Sequence, residues 1–240
     1  DTKVRDDYLL FGSTQGLLHV VHAGKNETDP NRGKEVFAFA PNEMMKNQKA
    51  AFLSETSSIG GKNNLFYGID APWTAFTQYV AKSDGTLTVT DSGRTVKETD
   101  DGEAISLKGL QWVYGGLRMG GKSYYALDLS DLGNPSLKFH IDPENQKIYN
   151  SATTKSDVTA LSYMGKSWSK PTIAYINFGG VKKLVMFVGG GYDMEYEKAA
   201  YNQTNGVGAG VYMFDANNGD LLWWTSANAT AEMGAEAYTN

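Results

Sequence analysis

A chain of 240 residues with 41% hydrophobic and 12% aromatic side chains is long enough to enclose a core, which excludes a disordered or fibrous polypeptide. A net charge of −5 excludes the general basic face that a nucleic-acid backbone requires. The absence of cysteine excludes disulfides, thiol catalysis, iron–sulfur clusters and cysteine-ligated zinc, and leaves the redox compartment open. With 27 glycines against 6 prolines, and with 14 tyrosines, 10 phenylalanines and 5 tryptophans together outnumbering 22 lysines plus arginines, the composition predicts an all-β chain of short strands and tight turns. No apolar run approaches the ~20 residues of a membrane helix, so no span is predicted. The chain opens at Asp1 without an initiator methionine or apolar leader, so a processed product or an excerpt is expected.

Taken in chain order, the predicted strands fall into three similar units. The first reads YLLFGSTQG, LLHVVHAG, a polar excursion over 25–34, and EVFAFAP. A helix candidate follows Pro41, with Met44, Met45, Gln48, Ala51 and Phe52 near helical spacing, and then an extra hairpin, GTLTVTDSGRTVKE. Both read as decorations on the sheet core. The second unit is opened by IDAPWTAFTQYV and continues WVYGGLRMGGK, SYYALDLSDLGNP, SLKFHI. The third is opened by SKPTIAYINF and continues LVMFVGGG, a loop, VYMFDANNG, DLLWW. Asp128 and Asp215 occupy the same turn position, His22 stands in that slot in the first unit, and Phe39 and Phe139 match the Trp223–Trp224 pair. Those aromatics are read as wedges packing one unit on the next.

Four antiparallel strands recurring at about 40 to 50 residues, stretched here by insertions at 145–166 and 195–208, predict propeller blades. Three blades cannot close a ring, and the first lacks its opening strand, so the fold class is an incomplete β-propeller with loop insertions and one short helix. The blade segments are about 1–40, 64–142 and 167–225, with the remaining blades outside this chain.

The segment from Gly116 to Ser123 matches the P-loop pattern, with Lys122 and Ser123 in the lysine and serine positions. A working P-loop needs a helix there, whereas YYALDLSD follows and predicts a strand, so the glycines are assigned to a hairpin. Gly189-Gly190-Gly191 and Gly206-Val207-Gly208-Ala209-Gly210 are assigned to turns for the same reason. His19 and His22, three apart in a strand, face opposite sides and cannot share an ion, and His140 stands alone, with no serine or aspartate placed by sequence to make a triad. Two acidic clusters, Glu98, Asp100, Asp101 and Glu103, and then Asp193, Glu195 and Glu197, lack the order of a calcium loop. The sequons at Asn26, Asn202 and Asn228 matter only in a glycosylating pathway and are not used. No catalytic, cofactor-binding or metal-ligating set is therefore assigned.

With these residues in view, the chain resembles the quinoprotein-like C-terminal β-propeller of the PilC/PilY family of bacterial type IV pilus tip and biogenesis proteins. The carriers are YLLFGSTQGLLHVVHA, WVYGGLRMGGKSYYALDLSD, the pair KPTIAYIN and VMFVGGGYD, and VYMFDANNGDLLWW. The resemblance implies a non-enzymatic protein at the pilus tip on the bacterial cell surface, exported through the periplasm and outer membrane. Its implied partners are minor pilins, and through the pilus it would promote assembly against retraction and support adhesion to a host surface, twitching motility or DNA uptake in competence. The family's calcium loop would lie beyond Asn240, so no metal residue is carried over. Two alternatives stand beside it. Asp215-Ala216-x-x-Gly219-x-x-x-Trp223 is also similar to the repeat of quinoprotein dehydrogenases, which bind pyrroloquinoline quinone with calcium, and exposed aromatics would suit a lectin-like sugar binder. The expected contact elements are the insertions at 25–34, 42–61, 85–103 and 145–166, each expected to be removable without unfolding.

Overall fold

A computed structural model describes residues 7–53, 66–82, 85–89, 97–98, 104–105, 109–200 and 206–229. The first unit is a three-stranded antiparallel sheet of β1 (Tyr8–Gly12), β2 (Leu18–His22) and β3 (Glu35–Phe39). Two short helices follow, α1 (Asn42–Asn47) and α2 (Ala50–Leu53), where one was expected. Strand β4 (Trp73–Gln78) opens the second unit, and the small strands β5 (Val80–Ala81), β6 (Leu87–Thr88), β7 (Lys97–Glu98) and β8 (Ala104–Ile105) interrupt it. For the described residues of the expected inserted hairpin the pairing is corrected: β6 pairs back onto β5, and β7 pairs with β8. The core of the second unit is β9 (Leu110–Gly115), β10 (Tyr124–Asp128) and β11 (Ser136–Asp142), continued by β12 (Lys147–Asn150) and β13 (Thr154–Lys155). The third unit is β14 (Thr172–Phe178), β15 (Val181–Gly189), β16 (Gly210–Asp215) and β17 (Leu221–Ser226).

The third sheet has the four strands that the repeat predicts, in the order β14-β15-β16-β17. The second has six, in the order β13-β12-β11-β10-β9-β4, because the start of the insertion at 145–166 turns back and extends the sheet. That insertion is not a loop. Ile148, Ala160, Leu161 and Met164 are buried in the core it helps to enclose.

The repeat is written in the backbone more clearly than in the sequence. Each unit carries a β-bulge at the same place, between Val20 and Val21, between Ala126 and Leu127, and between Met213 and Phe214. In each, the residue after the Asp128 slot donates its amide to the strand opposite: Ala23 to Asp7 (2.8 Å), Leu129 to Gln111 (2.7 Å) and Ala216 to Leu184 (3.0 Å). The Asp128 and Asp215 carboxylates each accept the amide two residues on, from Ser130 (2.9 Å) and Asn217 (2.8 Å), whereas the first unit has His22 and no carboxylate in that slot. The ladder also corrects one equivalence. Trp223 pairs with Met213, Phe139 with Ala126 and Phe37 with Val20, so Phe37 and not Phe39 is the match in the first unit.

Alternation along the strands then stacks the units face to face. Leu18 and Val20 of the first unit pack on Val113, Tyr125 and Leu127 of the second. The opposite face of the second unit, with Tyr114, Tyr124, Ala126 and Phe139, packs on Met186, Val188, Tyr212 and Phe214 of the third. Tyr114 adds a buried hydrogen bond from its hydroxyl to the carbonyl of Ala216 (2.9 Å), so the turn of the third unit is tied to the sheet of the second. The register assigns to the third unit an equivalent next face, made of Val185, Phe187, Val211, Met213 and Trp223. At the other end, Leu9 and Phe11 of the first unit are 56% and 48% exposed.

Candidate functional site

The hairpin turns of the three units gather at one end of the stack, and the glycine-rich turn from Gly115 to Ser123 is central there. A 3-10 turn at Arg118–Gly120 occupies its middle, and Ser123 leads directly into β10, so no helix follows Lys122. The backbone amides that a P-loop would offer to phosphate are instead taken by the chain's own carboxylate. Glu43 of α1 accepts the amide of Lys122 through Oε1 (3.1 Å) and that of Ser123 through Oε2 (3.0 Å). Asp70 similarly accepts the amide of Met119 (3.1 Å) and faces Arg118 at 3.6 Å. The lysine side chain lies with Glu144 (3.0 Å). A Cβ on Gly121 would lie 2.5 Å from the Glu43 carboxyl carbon, which is why a glycine stands there.

Helix α1 is therefore a staple and not a decoration. Met44 and Gln48 are buried, and the Gln48 amide donates to the carbonyls of Thr14 (3.0 Å) and Gln15 (2.7 Å) in the first unit's turn while accepting from Gly68 (3.1 Å). A second staple joins the second unit to the third. The Ser167 hydroxyl accepts from Leu117 (2.7 Å) and donates to Gly121 (3.1 Å), while Lys166 and Tyr192 exchange backbone hydrogen bonds of 2.8 and 2.9 Å. Arg118 lies 4.5 Å above the Trp168 ring, which stacks on Tyr192 at 4.6 Å. Trp168 and Tyr192 are thus engaged across the joint.

The histidines are placed by the register on opposite sides of β2, as the spacing predicts. His19 stacks on Phe11 and shares a 2.5 Å hydrogen bond with Glu35, whereas His22 meets Tyr8. His140 carries a contact that sequence distance concealed. Its Nε2 lies 3.1 Å from Ser123 Oγ, seventeen residues away, and both residues are buried. The imidazole is stacked between Tyr125 (4.3 Å) and Tyr149 (5.4 Å). Burial pushes it down to about 4, against the pull of Asp142. A serine and a histidine in contact would serve as nucleophile and base only where a substrate carbonyl can reach the oxygen, and here the pair is enclosed by rings.

The second acidic cluster is resolved into three separate roles. Asp193 is buried beneath a shallow depression lined by Gly191, Tyr192, Tyr196, Gly208 and Ala209. Its carboxylate accepts the amides of Glu195 (2.9 Å), Gly206 (2.7 Å) and Val207 (3.3 Å). Burial alone would raise that carboxyl, but the amides hold it below the usual carboxylate range. Glu195 pairs with Lys198 (2.6 Å), and Glu197 accepts from the Tyr192 hydroxyl (2.7 Å). Among the described residues no group of three or more potential ligands converges on one point. In the first cluster Glu98 lies in β7, and Asp100, Asp101 and Glu103 lie outside the described residues.

The excursion over 25–34 is the most self-contained of the exposed elements. Asn26 accepts from the amide (3.0 Å) and hydroxyl (2.8 Å) of Thr28, and Asp29 accepts the amides of Lys25 (2.9 Å) and Asn31 (2.9 Å). Those amide bonds hold the Asp29 carboxyl below its ordinary value. The loop braces itself while contributing nothing to either core cluster.

No family model matches the chain, and no curated protein matches it. Among solved structures it is similar to the crystal structure of the Pseudomonas aeruginosa PilY1 C-terminal domain, with 19% sequence identity and a TM-score of 0.49, over 95% of this chain and 32% of that one. The chain therefore spans about a third of the length of that domain.

Proposed function

We propose that this chain is a non-enzymatic part of a PilC/PilY-type β-propeller, whose work is to present loops to minor pilins at the tip of a type IV pilus on the bacterial cell surface. The pilus assignment rests on the resemblance of its strand and turn segments to that family. The observation that carries a presenting role is the braced, exposed loop at 25–34, fixed to a stack whose units are joined by buried aromatic faces and two polar staples. Rigid loops on a rigid scaffold bind with little ordering cost. The exposed apolar side chains at the first unit's end of the stack, Leu9 and Phe11, are where a further blade of the ring would seat. Support against the dehydrogenase alternative comes from the repeat. Asp215 and Trp223 hold positions that Asp128 and Phe139 hold in the second unit and His22 and Phe37 in the first, so blade packing accounts for both.

The test is capture of purified minor pilins by the chain and by a variant with 25–34 replaced by a tight turn. Equal stability with at least tenfold weaker capture is the expected result. Capture unchanged by that replacement, or no capture by the parent chain, would remove the loop or the pilus role respectively.

A further inference from the structure

We infer that the joint between α1 and the second unit is an acid-sensitive latch: a closed circuit of Glu43, Ser123, His140 and Tyr125 holds α1 against the glycine hairpin, and proton uptake at His140 releases it. This inference is independent of the pilus reading. The circuit is read directly from contacts. The Glu43 carboxylate accepts from Ser123 N (3.0 Å), Ser123 Oγ meets His140 Nε2 (3.1 Å), the imidazole stacks on Tyr125 (4.3 Å), and the Tyr125 hydroxyl accepts the amide of Glu43 (3.4 Å). Each member touches the next.

Among the described residues, the charged groups around the imidazole come from four directions. From its own strand Asp142 favours protonation, but both oxygens of that carboxylate are engaged by Asn145 (3.1 and 2.7 Å). From α1, Lys46 opposes protonation and Glu43 lies one hydrogen bond further on. From β12 come Tyr149, stacked on the ring, and Lys147, paired in register with Asp142. Beside Ser123, Lys122 is paired with Glu144. Burial outweighs these charges and pushes His140 down to about 4.

The sign follows from linkage. A histidine held below its ordinary value binds fewer protons in the closed joint than in an opened, hydrated one, so opening is favoured as pH falls through 6.5 towards 4. For His140 alone, the opening ratio at pH 5 is expected to exceed that at neutral pH by about 20- to 30-fold. Release would uncover the amides that Glu43 now occupies and free the first unit's turn from Gln48.

The test is hydrogen exchange at the Lys122 and Ser123 amides between pH 7.5 and 5, corrected for intrinsic exchange, with the Tyr212 and Phe214 amides of β16 as the report on global opening. The expected result is a 20- to 30-fold rise in the opening ratio at 122–123, with that ratio well above the one in β16 at both pH values, and a rise below about fivefold in His140→Phe. No rise, an opening ratio at 122–123 equal to that of β16, or an undiminished rise in His140→Phe overturns the latch. A second reading needs no variant: the ring resonances of His140 must titrate well below 6.5 in the parent chain, and a midpoint at or above that value overturns it as well.

Discussion

Excising residues 145–166 and closing the gap with a tight turn is expected to leave a chain that does not fold. The segment supplies β12 and β13 to the second sheet and the 3-10 turn at Thr159–Tyr163 to the joint with the third. Ile148 and Leu161 are fully buried and Met164 nearly so, and the Ala160 carbonyl accepts the buried hydroxyl of Tyr212 (3.2 Å). Burial of those three large side chains contributes about 2 kcal/mol each, or about 6 kcal/mol together. That is comparable with the whole stability of an ordinary domain, about 5 to 15 kcal/mol. Replacing 25–34 in the same way should move the melting temperature by only a few degrees, because that loop holds no member of either core. Thermal unfolding followed by circular dichroism separates the two. A cooperative transition surviving the 145–166 excision would mean that this segment is a surface loop after all.

Substituting Gly120 with alanine is expected to be nearly as damaging for a single methyl group. A Cβ there would lie 1.8 Å from the carbonyl oxygen of Gly68, and a Cβ on Gly68, whose φ is +64°, would lie 2.1 Å from the carbonyl of Ser13. Three backbone segments from the first unit, its connection and the second unit are thus layered with no side chain between them. Main chain cannot swing aside as a side-chain tip can, so the layer must part and disturb the contacts of Gln48 with Gly68 and of Asp70 with Met119. A cost of about 3 kcal/mol is expected for Gly120→Ala, the upper range for overpacking. Gly33→Ala, where a Cβ meets nothing within 4 Å and only the positive φ of +77° resists, should cost about 1 kcal/mol. Chemical denaturation of both variants decides the matter, and equal losses would show that the close approach at Gly120 is not maintained in solution.

The strands and their order were legible because alternation and turn residues are local. The hairpins at WVYGGLRMGGK and VYMFDANNG lie where pattern predicts, and the turn at Asp215 rests on an interaction two residues long. The match of Phe39 was misplaced because Phe37 and Phe39 stand two residues apart on one face of β3, so alternation cannot choose between them, and the loop leading to that strand differs in length from unit to unit. The staples were hidden for a related reason. Glu43 meets Lys122 across 79 residues and His140 meets Ser123 across 17, and nothing in a lone glutamate or histidine announces its partner. One signal was available: Gly120-Gly121-Lys122-Ser123 does hold an anion on its amides, so the motif pointed correctly to anion binding while the anion is the chain's own carboxylate. The insertion at 145–166 was misjudged because its apolar residues are too few and too scattered to suggest a core element.

Stacking of three repeated units in chain order underlies everything proposed, and one cross-linking measurement reaches it directly. The Asn150 side chain of the second unit donates to the Asn218 carbonyl in the turn of the third at 3.1 Å, and the chain has no cysteine of its own. With cysteines at 150 and 218, a short bismaleimide should join the two in the native protein at near-complete yield, whereas cysteines at 31 and 218 should stay separate. Failure of the 150–218 pair to join, or joining of the 31–218 pair with equal yield, would contradict the stack.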